Sequence, residues 1–139
     1  MADYKLLIGG ELVDGDLQME VINPATGAPF VTVARASPTQ ADQAIAAAKV
    51  GQPGWAAVPY AERRGRLVAL ADAIAANAHD LARLLTLEQG KPLPEAQGEV
   101  AWTEGFLRHY ATLDLPDRII QDDDSGYIAV KHRPLGVCL

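Results

Sequence analysis

Apolar residues along this chain follow a period of two, change to a helical period, and then change back; those two switches constrain the architecture more than any single motif. Up to Ala36 the alternation is that of strands: Leu17, Met19 and Val21 alternate with Gln18 and Glu20, and Val31 and Val33 fall on one side of FVTVARA. Such spacing lines one face of a pleated strand. The first switch comes at SPTQADQAIAAAK. Ser37 is a candidate N-cap, Pro38 suits the first helical position, and Gln40 stands three residues after the serine, as a capping box requires. The second switch is Leu115-Pro116, beyond which RIIQ and YIAVKHR flank the acidic turn DDDSG as a β-ribbon. The expected class is α/β, or α+β within this stretch: an N-terminal β-hairpin and strands, three to four helices, then the ribbon.

Turn residues subdivide these regions. Gly9-Gly10 between KLLI and ELV predicts a tight hairpin, Asp14-Gly15 a second turn, and NPATGAP a third. The alanine-rich helix is expected to stop where Gly51, Pro53 and Gly54 oppose its continuation, leaving Trp55 beyond the break as a packing anchor. Pro59 opens the next helix, and Leu67, Leu70, Ala71, Ile74 and Ala78 share one of its faces. Asn77 or Asp80 marks a short break and new cap, Leu81, Leu84 and Leu85 carry the stripe onward, and Gly90 is the expected C′ residue. After Pro92 and Pro94, the stripe Ala96, Val100, Thr103, Leu107 and Tyr110 is broadened by Trp102 and Phe106. That helix is expected to be buried over much of its circumference.

With 139 residues, the chain is long enough for one domain burying roughly 70% of the surface its unfolded form exposes. Its apolar share of 49% owes much to alanine, since only eight residues are aromatic, so close helix packing is expected. No run approaches the roughly 20 apolar residues that span a bilayer, and the N-terminus lacks a basic region followed by an apolar one. A soluble, cytoplasmic protein is the expectation, with no membrane partner. A net charge of −6 also argues against nucleic acid as a partner, because the phosphates would be repelled. Arg63, Arg64 and Arg66 read as a solvated helix face. The single cysteine excludes an internal disulfide, and with three dispersed histidines it suggests no zinc site.

Motifs that carry chemistry are few. No glycines are spaced GxG, and Gly90-Lys91 lacks the rest of a phosphate loop. Ser37 and Ser125 are explained by a cap and a turn. Glu95 and Glu99 lie four apart, with Glu88 across a turn; such carboxylates could do acid–base work or bind a cation, but acidic residues near a helix start also complement its dipole. His79, His109 and His132 share no spacing and read as surface or interface residues. Cys138, in GVCL, is expected to fill space in an apolar strand. No catalytic, cofactor-binding or metal-ligating residue is assigned.

Six segments taken in order, LLIGGELVDG, INPATGAPFVTVARAS, QPGWAAVPYAERRGRL, LLTLEQGKPLPEAQGEV, FLRHYATL and HRPLGV, resemble the N-terminal portion of the NAD(P)-dependent aldehyde dehydrogenase superfamily. The resemblance covers nearly the whole chain; Ala111-Thr112, where the family often has Ala-Gly, is a small departure. It implies part of a Rossmann-type fold. Residues 1–116 would pack on the cofactor-binding domain, 117–134 resemble oligomerisation strands, and 135–139 would begin the first cofactor-domain strand. The family's oxyanion asparagine, cofactor lysine, general-base glutamate and nucleophilic cysteine all lie further on, so Cys138 matches a strand position. Glu99 matches a place where some relatives use an acidic residue for a structural monovalent cation. For a complete enzyme the resemblance implies oxidation of an aldehyde substrate to a carboxylic acid through a cysteine thiohemiacetal, with NAD or NADP. For this chain alone it implies no cofactor, no turnover, and either homo-oligomerisation or association with the remaining portion. The alternative is a stand-alone, non-catalytic interaction module that docks through its ribbon.

Overall fold

The capping box forms as its spacing requires, and it does more than start a helix. In the computed structural model, which describes residues 4–138, the Gln40 N–H donates to Ser37 Oγ and the Ser37 N–H donates to Gln40 Oε1, each at 3.2 Å. The same Oε1 accepts from the Asp16 N–H at 2.9 Å, while Gln40 Nε2 donates to the Asp14 carbonyl at 2.9 Å. Gln40 is buried. Its amide therefore binds the start of α1 (Pro38–Ala57) to the chain 24 residues earlier.

Three two-stranded antiparallel sheets are present among the described residues. β1 (Leu6–Ile8) and β2 (Glu11–Val13) form the predicted hairpin. Gly9 and Gly10 take φ of +64° and +90°, the left-handed region that glycine enters without steric cost. β3 (Leu17–Asn23) pairs with β4 (Ala28–Arg35), Met19 opposite Val33 and Val21 opposite Val31. Between them the Asn23 carbonyl accepts from the N–H groups of Thr26 and Gly27, closing the expected turn. Asp14–Asp16 make the expected change of direction between strands and join two separate sheets. Gly15 is needed there for close approach: a Cβ would lie 2.5 Å from the Arg35 carbonyl oxygen and 2.6 Å from its nitrogen.

α1 continues through Pro53 to Ala57, overturning the expected stop. A proline inside a helix forfeits its bond to the carbonyl four residues back. Val50, Gly51, Pro53 and Gly54 are all exposed, so the break in the ladder occurs where water can reach the backbone. Trp55 consequently lies in the last turn of α1, half exposed, with the Arg66 guanidinium 5.7 Å from its ring centroid.

α2 (Tyr60–Ala76) and α3 (Ala78–Gln89) are separated by Asn77, whose Nδ2 donates to the Ala73 carbonyl at 2.8 Å. Asn77 thus closes α2 instead of capping α3. Gly90 ends α3 at φ +73°, its N–H donating to the Thr86 carbonyl at 2.9 Å. α4 (Leu93–Thr112) then crosses α2 and α3, burying Ala71, Ala82, Ala96, Val100 and Ala111. Only one face of α4 is covered, contrary to the expected burial around its circumference: Trp102 is 75% exposed and Phe106 60% exposed. The arginine cluster is the expected solvated face only at Arg66, which is exposed, whereas Arg63 and Arg64 are half-buried. Arg64 Nε donates to the Ala111 carbonyl at 2.5 Å, the Arg63 guanidinium lies 5.5 Å from the Tyr60 ring centroid, and Arg66 pairs with Glu62 at 2.6 Å.

β5 (Arg118–Asp123) and β6 (Gly126–Val130) form the ribbon, which packs chiefly on itself. Residues 131–138 carry no regular structure, and Cys138 is exposed, so the expected apolar strand is not formed. A parallel-sheet strand needs neighbours for its ladder, and these residues have none; Leu139 of that predicted strand lies outside the described residues. No helix among the described residues is long and apolar enough to cross a membrane. The accessible surface is 10334 Å², against roughly 7,000 Å² for an ordinary folded monomer of this mass. The chain buries about half of its unfolded surface rather than the expected 70%.

Two substitutions probe this architecture in urea unfolding. Gln40→Ala, which removes the partner of part-buried backbone groups of residues 14, 16 and 37, is expected to cost about 1–2 kcal/mol. Gly15→Ala should cost about 1–3 kcal/mol through overlap with Arg35.

Candidate functional site

The chemistry-bearing side chains are dispersed over the helices. His79 opens α3 beside Asp80 at 3.2 Å, His109 meets the Tyr110 ring edge-on at 5.6 Å, and His132 follows β6, exposed. No group of three histidine, cysteine, aspartate or glutamate side chains is placed to hold a metal ion among the described residues. Glu95 lies in the first turn of α4, and Glu99 accepts an ion pair from Lys91 in the preceding loop. An ammonium therefore already neutralises the carboxylate that the resemblance connects with a monovalent cation. Ser37 caps α1, Ser125 sits in the ribbon turn, and Cys138 lies outside any strand or helix.

A dinucleotide binds at the carboxyl edge of a parallel sheet, its pyrophosphate against a glycine-rich turn and helix N-terminus. The three antiparallel pairs formed by the described residues build no such crevice. These residues do not fit the cofactor, and no hydride-transfer step is assigned to them.

What the fold does assemble is uncovered apolar surface. On α4, Ala101, Trp102, Gly105, Phe106 and His109 line a shallow, open groove of about 420 Å³. Leu7 and Leu12 on the hairpin and Val50 on α1 form a second exposed group. The ribbon contributes Ile119, Ile120, Tyr127, Ile128 and Val130, each about half exposed. Large exposed apolar residues are thus found on α4, on the hairpin and on the ribbon. The sequence contained one sign of this: Trp102 and Phe106 stand outside the Ala96–Val100 stripe that makes the core.

Charges brace the edges of these faces. Arg108 joins Glu104 on its own helix to Asp72 on α2, both at 2.8 Å, and those hydrogen bonds raise its pKa. At the base of the ribbon Lys131 pairs with Asp117 at 3.0 Å, which raises the lysine. In the ribbon turn, Asp123 Oδ1 accepts from Ser125 Oγ at 2.5 Å, Gln121 Nε2 at 3.0 Å and the Ser125 N–H at 2.8 Å. These donors, the serine hydroxyl foremost, lower Asp123 from 3.8 to about 2. Because the folded pKa is depressed, the turn gains its full order above the ordinary carboxylate range and loses it as pH falls through about 2. The Ser125 amide resonance should titrate with a midpoint of about 2; a midpoint at the free-carboxylate value of 3.8 would show that the turn does not hold Asp123 this way.

Residues 12–139 match the family model described as "Aldehyde dehydrogenase family". The chain is 37% identical over 137 residues to glutarate-semialdehyde dehydrogenase of Pseudomonas putida, covering 94% of this chain and 28% of that enzyme. It is 36% identical to the NADP(+) succinate-semialdehyde dehydrogenase of Escherichia coli, again over 94% of this chain and 28% of the relative. In three dimensions it resembles succinate-semialdehyde dehydrogenase from Burkholderia pseudomallei, with a TM-score of 0.87, 36% identity, and coverage of 97% of this chain and 29% of that one. The crystal structure of betaine aldehyde dehydrogenase from Staphylococcus aureus in complex with NAD+ matches 86% of this chain and 26% of its own, with a TM-score of 0.79 and 26% identity. The chain thus spans little more than a quarter of the length of these relatives. A family match over residues 12–139, together with these identities across almost the whole chain, shows that the chain belongs to the aldehyde dehydrogenase family and corresponds to its N-terminal portion.

Proposed function

We propose that this chain is the scaffold portion of an NAD(P)-dependent aldehyde dehydrogenase and is inactive by itself. In the complete enzyme, an aldehyde is oxidised to a carboxylic acid through a cysteine thiohemiacetal. That reaction needs a thiolate, donors for the developing oxyanion, a nicotinamide to accept hydride and a base for the deacylating water. Each is expected from polypeptide beyond the quarter represented here. The relatives' activities, as glutarate-semialdehyde and succinate-semialdehyde dehydrogenases, support a carboxylate-bearing aldehyde as the first substrate class to test. The complete enzyme is proposed to work in the cytoplasm.

One observation carries this reading: the accessible surface of 10334 Å² exceeds that of a self-sufficient monomer by roughly 3,000 Å². A standard protein interface covers about 800 Å² per partner, so the excess corresponds to several interfaces. The α4 groove and the hairpin face are proposed to dock the remaining portion of the enzyme. An exposed ribbon with unpaired edges is the proposed oligomerisation element, because such edges require pairing or protection.

The purified chain, assayed with succinate semialdehyde or glutarate semialdehyde and either NAD or NADP, should give no nicotinamide reduction. Turnover that disappears in Cys138→Ser would overturn the proposal by placing the reactive thiol within this chain.

A further inference from the structure

The ribbon has little packing of its own against the helices, yet its root is tied down. It leaves the body through residues 113–117, which follow the last turn of α4. Two side chains one turn apart on α2 reach that exit. Tyr60 Oη donates to the Leu113 carbonyl at 3.2 Å, and Arg64 Nε donates to the Ala111 carbonyl at 2.5 Å. Both acceptors lie at a helix C-terminus, where carbonyls lack intrahelical partners and carry negative partial charge, so a guanidinium is matched to the position chemically as well as sterically. The Tyr60 ring is held in turn, with the guanidinium carbons of Arg63 and Arg64 5.5 and 6.0 Å from its centroid. Beyond the clamp, Pro116 restricts Leu115 to extended conformations, and Asp117 pairs with Lys131 across the ribbon base.

We propose that Tyr60 and Arg64 form a clamp that sets the direction in which the ribbon leaves the helical body. They are positioning residues: neither lies in the ribbon. A ribbon hinged on a frayed helix end would sample many orientations; hydrogen bonds to both exit carbonyls narrow that range.

The test uses the full 139-residue chain carrying Cys138→Ser, with spin labels on cysteines replacing Ala69 on α2 and Asp124 at the ribbon turn. Pulsed dipolar spectroscopy reads the distribution of distances between them. A single narrow distribution is expected with the clamp intact. Tyr60→Phe, which keeps the ring and removes one donor, and Arg64→Lys, which keeps the charge and loses the planar fork, should each broaden it, and together by about twofold. Helical circular dichroism should be unchanged. Arg66→Gln, which breaks the exposed pair with Glu62 on the same helix, should leave the width alone. A broad distribution with the clamp intact, no broadening in either clamp variant, or equal broadening in Arg66→Gln would overturn the proposal.

Discussion

Everything in this molecule depends on the close crossing of α4 over α2 and α3 through alanine. Ala71, Ala82 and Ala96 are completely buried, and among the described residues only Val100 and Ala111 join them as buried apolar side chains. Small side chains let helix backbones approach, but each removes little apolar area from water. Burial contributes roughly 25 cal/mol per Å², so an alanine contact is short in distance and modest in energy. The crossing therefore defines geometry more than it supplies stability, and it leaves the larger apolar residues, Trp102, Phe106, Leu7 and Ile119 among them, facing outward.

Polar contacts complete what so small a core leaves open. Gln40 joins the β2–β3 connection to α1, Arg64 reaches from α2 to the end of α4, Arg108 spans α4 and α2, and Lys91 meets Glu99 at the α3–α4 turn. Of these, the Gln40 junction carries the largest consequence because it is buried and several backbone groups depend on it. The exposed ion pairs orient neighbouring elements, and such pairs contribute about 0–1 kcal/mol each.

Reading from sequence succeeded wherever a local backbone requirement decided the outcome. Ser37 and Gln40 form their reciprocal cap, Gly9, Gly10 and Gly90 adopt positive φ, and the acidic turn joins the two ribbon strands. It failed where the outcome depended on what lay across from a residue. Pro53 was expected to end a helix, yet α1 continues because that stretch is exposed and its interrupted ladder can be hydrated. Arg63, Arg64 and Arg66 resemble any charged helix face until Tyr60, Trp55 and the end of α4 are seen beside them. Within the candidate site, the order of motifs revealed the family, but the α4 groove required knowing which side of that helix is covered.

The order of strands and helices, the positions of the turns and the family resemblance were inherent in the amino-acid order. Caps, φ preferences and hydrophobic period act over a few residues and leave their marks in the chain itself. Which faces meet, which remain bare, and how the ribbon is aimed were settled only in three dimensions, because burial and long-range hydrogen bonds join residues whose separation in sequence carries no such mark. Arg64 and Ala111, 47 positions apart, meet only once α2 and α4 have packed.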